Sequence, residues 1–147
     1  VEGYIAKGLE QGAQLATGGR RPPHLSRGYY FEPTLFTEVD NRMTIAQEEI
    51  FGPVICLIPY DTEDDAVRIA NDTIYGLAGS GWTSNPRSAH EAVRGLEAGT
   101  TYVNCYDHGD PTSPFLGHKQ SGQGGDKCLE GLLSYTQTKS AWIHLGS

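Results

Sequence analysis

The sequence predicts an α/β protein of three layers, with helices on both faces of a mostly parallel sheet. Between residues 54 and 105, apolar segments of strand length alternate with segments of helical periodicity. The connections are short, which favours parallel strands joined by right-handed crossover helices. A chain of 147 residues is also long enough to form a hydrophobic core. We therefore expect a single αβα domain.

The first third of the chain predicts a helix, two strands and a loop. Apolar residues recur at helical spacing within residues 1–9, and residues 14–17 predict a short strand. The segment 20–27 contains two prolines and shows no periodicity, so it predicts a surface loop. Residues 30–36 predict a second strand, which Pro33 restricts to a sheet edge or a bulge.

The middle of the chain predicts strands and capped helices. The apolar run 54–58 predicts a strand that is buried on both faces. Thr62 is suited to cap a helix with acidic residues in its first turn, and Asn85 precedes a proline at the first position of another helix. Further strands are predicted to follow these two helices, at residues 77–83 and 100–105.

The end of the chain predicts a separate element. Beyond residue 105 the sequence is rich in Gly and Pro, up to a short helix near residues 129–133. Residues 140–145 alternate like a strand, and a lone terminal strand needs the edge of another sheet as a partner. We therefore divide the chain into a domain of residues 1–137 and a terminal strand segment of residues 138–147.

The composition excludes several classes of partner. Eleven Lys and Arg against eighteen Asp and Glu give a net charge of -7 at pH 7, which disfavours nucleic acid and anionic membrane surfaces. No apolar run approaches the roughly 20 residues that span a bilayer. Three Cys, an odd number, do not indicate a disulfide framework. We expect a cytoplasmic protein that binds neither nucleic acid nor membrane.

The most informative motif is the run from Glu48 to Val54, which reads EEIFGPV. An ionised carboxylate has only acceptor oxygens, and these suit the two vicinal hydroxyls of a ribose. A neighbouring phenyl face can hold a flat ring in place. Taken alone, the two Glu residues are better explained as a solvated acidic turn, so the motif depends on its context.

That context is a series of further motifs in a fixed order. They are Ile69-Ala70-Asn71, Tyr75-Gly76-Leu77-Ala78-Gly79, Val103-Asn104-Cys105, Ser113-Pro114-Phe115 and Lys119-Gln120-Ser121-Gly122. Together with EEIFGPV, they resemble the last third of an aldehyde dehydrogenase in order and spacing. The resemblance covers essentially the whole chain.

The resemblance implies an enzyme larger than this chain. In that family the nucleophilic Cys, the general-base Glu and the dinucleotide-binding domain precede the matched region. The chain is therefore expected to be a C-terminal fragment that has no catalytic residue of its own and is inactive alone. The intact enzyme would oxidise an aldehyde to a carboxylic acid through a Cys thiohemiacetal, with NAD or NADP as cofactor. The segment 138–147 would be an oligomerisation strand, which implies a homo-oligomer.

The resemblance also assigns roles to individual side chains. Glu49 would bind the nicotinamide ribose, and Phe51 would lie beside the nicotinamide. Phe115 would line the pocket that holds the aldehyde, while Asp107 and Gly109 would shape the mouth of the substrate tunnel. Gly109 stands where some members have a bulky residue, which would widen that mouth. Two departures from the family pattern are Leu116 and Gly125, which replace a Gly and an Arg.

Other chemistry is disfavoured by the sequence. Cys105 ends a predicted strand, yet no base is apparent near it, so we expect a structural role. Cys105 and His108 form only half of a zinc motif, and no second pair occurs, so no metal site is predicted. The glycines within residues 122–125 do not complete a dinucleotide fingerprint.

Two hypotheses remain open on substrate and function. Asp107 and Asp110 could attract a cationic tail, and the segments Trp82-Thr83 and Gly125-Asp126-Lys127 resemble aldehyde dehydrogenases that act on amino aldehydes. A solubilising acidic loop without selectivity is the simpler explanation of these charges. The alternative to an enzyme is a non-catalytic assembly module that derives from an aldehyde dehydrogenase.

Overall fold

The computed structural model describes residues 1–146, which form two compact units, unit 1 of residues 1–72 and unit 2 from residue 73 onwards. Unit 1 contains, in chain order, α1 (Glu2–Glu10), β1 (Gln14–Thr17), β2 (Thr34–Thr37), α2 (Thr44–Gln47), β3 (Val54–Cys56) and α3 (Glu63–Asn71). Its three strands form one sheet in the order β1-β2-β3. Strand β2 runs antiparallel to β1 and parallel to β3.

Unit 2 is built from shorter elements. They are β4 (Tyr75–Gly76), β5 (Ala78–Gly81), α4 (Pro86–Gly95), β6 (Thr100–Val103), β7 (Phe115–Leu116), β8 (His118–Lys119), β9 (Gly125–Asp126) and α5 (Cys128–Ser134). Strands β5 and β6 pair in parallel across helix α4, as the predicted crossover requires. The pairs β4–β8 and β7–β9 are antiparallel. The α/β class with parallel strand pairs is thus confirmed.

The core of unit 1 surrounds strand β2. Phe36 is fully buried, and it clusters with Ile5, Ala13, Val39 and Ile45 from the neighbouring elements. Helix α1 approaches this core closely at Gly8, where an added methyl group would lie 3.1 Å from the Phe36 ring. Because the core lies beneath the end of α2, it supports the segment that leads from α2 to β3.

Both predicted helix caps are present. The Thr62 side chain accepts a hydrogen bond from the Asp65 amide at 3.1 Å, and the Asn85 side chain accepts one from the Arg87 amide at 3.0 Å. Each bond satisfies an amide that has no partner within its helix. Pro86 occupies the first turn of α4, as expected.

Several strand predictions differ from the structure. The strand expected over 30–36 begins only at Thr34, because residues 30–32 follow an irregular path and Pro33 has no amide hydrogen to donate to a neighbouring strand. Strand β3 is not buried on both faces, since Ile55 is 63% exposed. The chain therefore does not bury this apolar strand completely.

The predicted terminal strand is not formed in the single chain. Residues 140–145 have no strand assignment, and Ser147 lies outside the described residues. Trp142, Ile143 and Leu145 are exposed. A strand needs a second strand for its hydrogen bonds, and none pairs with this segment within residues 1–146.

Strand β7 is positioned by a close backbone approach in unit 2. Gly99 precedes β6, and a side chain at this position would collide with the carbonyl group of Leu116. The Gly99 amide also donates a hydrogen bond to the Gly76 carbonyl at 3.0 Å. This contact brings the strand that carries Phe115 against the start of β6.

Within residues 1–146, no helix combines the length and the apolar character needed to cross a membrane.

Candidate cofactor and substrate site

The segment between α2 and β3 orients the two carboxylates of EEIFGPV differently. The Tyr4 hydroxyl donates a hydrogen bond to Glu48 at 2.8 Å, and Ile50 packs against the core. Side chains alternate in an extended segment, so Glu49 is directed away from the core. Glu49 is exposed and has no hydrogen-bonding partner within residues 1–146. Its oxygens are therefore available to a ligand.

Phe51 is held in an unusual backbone conformation. Its φ of 52° lies in the left-handed region, which costs a residue with a Cβ about 1–2 kcal/mol. The ring is 89% exposed, so burial of the side chain does not compensate this cost. Backbone strain at an exposed aromatic residue is an observation that points to a functional role.

The turn after Phe51 is anchored to the sheet. The Val54 amide donates to the Gly52 carbonyl at 2.8 Å, and the Thr34 amide donates to the Pro53 carbonyl at 2.8 Å. From there Thr34 and Val54 start the parallel register of β2 and β3. The strand pair therefore fixes where Phe51 lies relative to the core of unit 1.

Phe115 lies on strand β7, opposite Asp126 of β9. Its ring is half-buried and contributes to a cavity of about 320 Å³ in unit 2. The residues around this cavity include Leu77, Phe115, Gly117, Ser121, Gly125 and Asp126. An aromatic wall beside a few polar groups is the usual lining of a small-molecule pocket.

The loop before Phe115 carries the other predicted substrate residues. Asp107 and Gly109 are both exposed, and Asp107 has a φ of 52°. Asp107 makes no hydrogen bond with any of residues 1–146. The Asp110 carboxylate accepts hydrogen bonds from the Thr112 hydroxyl at 2.5 Å and the Thr112 amide at 2.8 Å. These bonds, with a smaller contribution from Lys127, hold the pKa of Asp110 below its usual value.

Lys127 is a residue whose position the sequence did not reveal. Its ammonium lies 5.4 Å from the centroid of the Phe115 ring. A methyl group built onto Gly109 would lie 2.9 Å from the same nitrogen. The predicted wide tunnel mouth at Gly109 is therefore occupied by a cation. The sequence could have predicted this position of the ammonium only from the glycine at 109 and the lysine at 127 together. The two residues come close to each other only in the folded chain.

The three cysteines show no activated nucleophile. Burial raises the pKa of the Cys56 thiol. The Cys128 thiol donates a hydrogen bond to Glu130 at 2.6 Å, and this bond lowers the pKa of the carboxyl group. Cys105 has no hydrogen-bonding partner within residues 1–146, whereas a nucleophilic thiol needs a base in reach. In the same range, no three His, Cys, Asp or Glu side chains are grouped as a metal ion would require.

Comparison with known proteins gives a consistent result. The model of the "Aldehyde dehydrogenase family" matches residues 1–141. The putative aldehyde dehydrogenase DhaS of Bacillus subtilis is 48% identical over 145 residues, which are 99% of this chain and 29% of that protein. The putative aldehyde dehydrogenase SSP0762 of Staphylococcus saprophyticus is 48% identical over 95% of this chain and 30% of its own length.

Solved structures give the same picture. An aldehyde dehydrogenase of Mycobacterium tuberculosis complexed with NAD+ superposes with a TM-score of 0.90, at 52% identity, over 99% of this chain and 30% of that one. An indole-3-acetaldehyde dehydrogenase complexed with NAD+ has a TM-score of 0.90, at 51% identity, over 98% of this chain and 29% of its own. The chain thus spans about 30% of the length of these relatives.

Proposed function

The chain belongs to the aldehyde dehydrogenase family, and we propose that it supplies cofactor and substrate contacts to an enzyme that oxidises an aldehyde to a carboxylic acid with NAD. The observation that supports this proposal most directly is the pair Glu49 and Phe51. An unengaged carboxylate and an exposed, strained phenyl ring lie two residues apart on a supported segment. The relatives solved with NAD+ make this dinucleotide the proposed cofactor.

The side chains fit this cofactor on chemical grounds. Glu49 can accept two hydrogen bonds from the ribose hydroxyls, because its oxygens make none within residues 1–146. The exposed face of Phe51 offers a flat contact for the nicotinamide ring. When bound, the nicotinamide supplies the acceptor for the hydride of the substrate. The role of these two residues is to orient it.

Phe115 is proposed as part of the aldehyde pocket. It is half-buried, and it faces a cavity that also has the polar atoms of Ser121 and Asp126. Asp107 and Gly109 are proposed to lie at the mouth of this pocket. We assign no nucleophile to this chain. Burial raises the pKa of the Cys56 thiol, and Cys105 has no hydrogen-bonding partner within residues 1–146. Glu130 accepts from the Cys128 thiol, but the lowered pKa of this carboxyl group makes it a poor acceptor for the thiol proton.

The terminal segment is proposed to pair with a second copy of the chain. Trp142 and Leu145 are 97% and 91% exposed, and the segment makes no strand within residues 1–146. Pairing with the edge of another sheet would satisfy its backbone groups and cover these side chains. A homo-oligomer follows from this proposal.

Substitution of Glu49 by Gln in the full-length enzyme tests the proposed function. Gln keeps the size of the side chain but weakens the hold on the ribose, so hydride transfer should slow about 10- to 100-fold. Acylation of the nucleophile should change less. The measurement is the single-turnover rate of nicotinamide reduction, followed by absorbance.

Glu48→Gln is the matched control, because Glu48 is the neighbouring carboxylate and is already bonded to Tyr4. It should retain the wild-type hydride rate. If Glu49→Gln also leaves that rate unchanged, Glu49 does not position the cofactor. If the full-length protein oxidises no aldehyde at all, this result favours the alternative hypothesis of a non-catalytic assembly module.

A further inference from the structure

The position of Lys127 points to the chemical class of the substrate. We infer that its ammonium makes the pocket selective for aldehydes that carry a carboxylate at the far end. This inference deepens the proposed function and depends on Phe115 lining the aldehyde pocket. It also reverses the amino-aldehyde hypothesis, which considered only the acidic residues of the same loop.

The ammonium lies near Phe115, which lines the cavity, and near Gly109, which is proposed to lie at its mouth. It is 5.4 Å from the centroid of the Phe115 ring, within the range of a cation–π contact. It also fills the space beside Gly109, where a side chain would lie within 2.9 Å of it. Lys127 is exposed. The charge is therefore at the proposed tunnel mouth, and a ligand can reach it.

The backbone holds Lys127 in this place. Strand β9 ends at Asp126, which pairs with Phe115, so Lys127 follows directly from that pairing. Lys127 and the next residue, Cys128, both have positive φ values, 64° and 47°, at the point where the chain enters α5. The Cys128 amide donates to the Pro111 carbonyl at 2.8 Å, which ties this turn to the loop of Gly109.

The charge of Lys127 is not neutralised by contact. It forms no salt bridge within 4.0 Å among residues 1–146. Lys127 contributes to lowering the pKa of Asp110, but the Asp110 carboxylate accepts its hydrogen bonds from Thr112. Asp107 and Asp126 add negative charge to the region, but they make no ion pair with Lys127.

A carboxylate on the substrate could therefore form a charge-assisted hydrogen bond with Lys127. Such a bond acts at contact distance, where an attraction outweighs the screened repulsion of exposed acids farther away. An amine at the same end of the substrate would instead meet a like charge. The order of preference should be a carboxylate first, then a neutral group, then an amine.

The test compares three aldehydes of equal chain length on the full-length enzyme. They are 4-oxobutanoate, butanal and 4-aminobutanal. Wild type should have the highest kcat/KM for 4-oxobutanoate, and Lys127→Met should reduce the ratio of 4-oxobutanoate to butanal about tenfold, as expected for one charged hydrogen bond. The loss should appear mainly in KM, because the contact is distant from the reacting carbon. Lys127→Arg should restore most of the ratio.

Lys7→Met is the matched control. Lys7 also lies over an aromatic ring, 5.6 Å from the centroid of Tyr4, but it belongs to unit 1. The substitution Lys7→Met removes one positive charge and one cation–π contact, and it should leave the ratio of kcat/KM for 4-oxobutanoate to that for butanal unchanged. Salt provides a second measurement that needs no variant, since the wild-type ratio should fall as ionic strength rises.

The outcomes separate this inference from the proposed function. Oxidation of butanal by wild type tests the enzyme assignment alone. If butanal is oxidised but the ratio is the same in wild type and Lys127→Met, or if 4-aminobutanal is the best substrate, the role of Lys127 is wrong. An equal loss in Lys7→Met would mean that net charge, not contact, sets the ratio, which also overturns the inference.

Discussion

The two units hold the side chains that we propose to bind ligands in different ways. In unit 1, Glu49 and Phe51 project from a segment that lies against a closed hydrophobic core around Phe36. In unit 2, Phe115 and Lys127 lie on or beside strands of two residues, and residues 73–146 include no buried large apolar side chain. Hydrogen bonds between loops, strands and side chains connect the elements of unit 2.

This difference matches the two proposed tasks. A cofactor contact is the same for every substrate, so a scaffold built from a packed core suits it. A substrate wall that stands on loops can change its side chains without disturbing a core. Lys127 illustrates this freedom, because its charge depends on a turn and on the space left by Gly109.

The largest effect is expected in the core of unit 1. Phe36→Ala should reduce the free energy of unfolding of the chain by about 3–5 kcal/mol, because Phe36 is fully buried and the cavity would not collapse completely. Leu132→Ala in unit 2 should change it by about 0.5 kcal/mol or less, since Leu132 is 63% exposed. Urea unfolding measures both values. Equal losses would contradict the contrast between the units.

The next effect concerns the hydrogen bonds that replace a core in unit 2. The Asn104 side chain accepts from the Thr83 amide at 2.8 Å and donates to the Thr83 carbonyl at 2.9 Å. Asn104→Ala should cost about 2–4 kcal/mol, since it removes both bonds and places Ala, which tolerates the left-handed region less well than Asn, at a φ of 55°.

Asn104→Gly separates these two contributions. It removes the same bonds but tolerates the positive φ. It should therefore be about 1 kcal/mol more stable than Asn104→Ala. If both variants unfold at the wild-type urea concentration, the bridge between Asn104 and Thr83 does not hold unit 2 together.

A smaller change in stability is expected at Phe51. Phe51→Gly should alter the free energy of unfolding by about 1 kcal/mol or less, because relief of the left-handed strain offsets the entropy that glycine loses on folding. Hydride transfer in the full-length enzyme should nevertheless slow, since the proposed contact with the nicotinamide would be lost. A large loss of stability would show that Phe51 supports the fold instead.

The smallest effect is a pH dependence in helix α3. Hydrogen bonds from Arg68 and then Thr62 lower the pKa of Asp65. A carboxyl group with a lowered pKa in the folded state stabilises the fold above its unfolded pKa and loses this contribution as the pH falls through its folded pKa. Asp65→Asn should therefore flatten the loss of stability below about pH 4. Thermal unfolding at several pH values gives the comparison.

Local signals in the sequence predicted local structure well. The caps at Thr62 and Asn85 depend on neighbouring residues only, and both helices begin as expected. The prediction that β3 is buried on both faces was wrong. An apolar run shows that a strand can be buried, but not that the rest of the chain packs against it. The role of Lys127 depends on Gly109, which is distant in the sequence, so no local pattern could indicate it. The assignments of Glu49, Phe51, Asp107, Gly109 and Phe115 stay predictions.

The contact between Gly99 and Leu116 has a consequence for how such a protein can diverge. Since the Leu116 carbonyl occupies the place of any side chain at position 99, even Ala would push β7 away from β6. Substitutions at the pocket surface can accumulate one at a time, whereas a change at this glycine displaces the whole strand that carries Phe115. In a library of all single substitutions selected for activity, position 99 should accept glycine alone, while position 127 should tolerate many residues and trade one substrate for another.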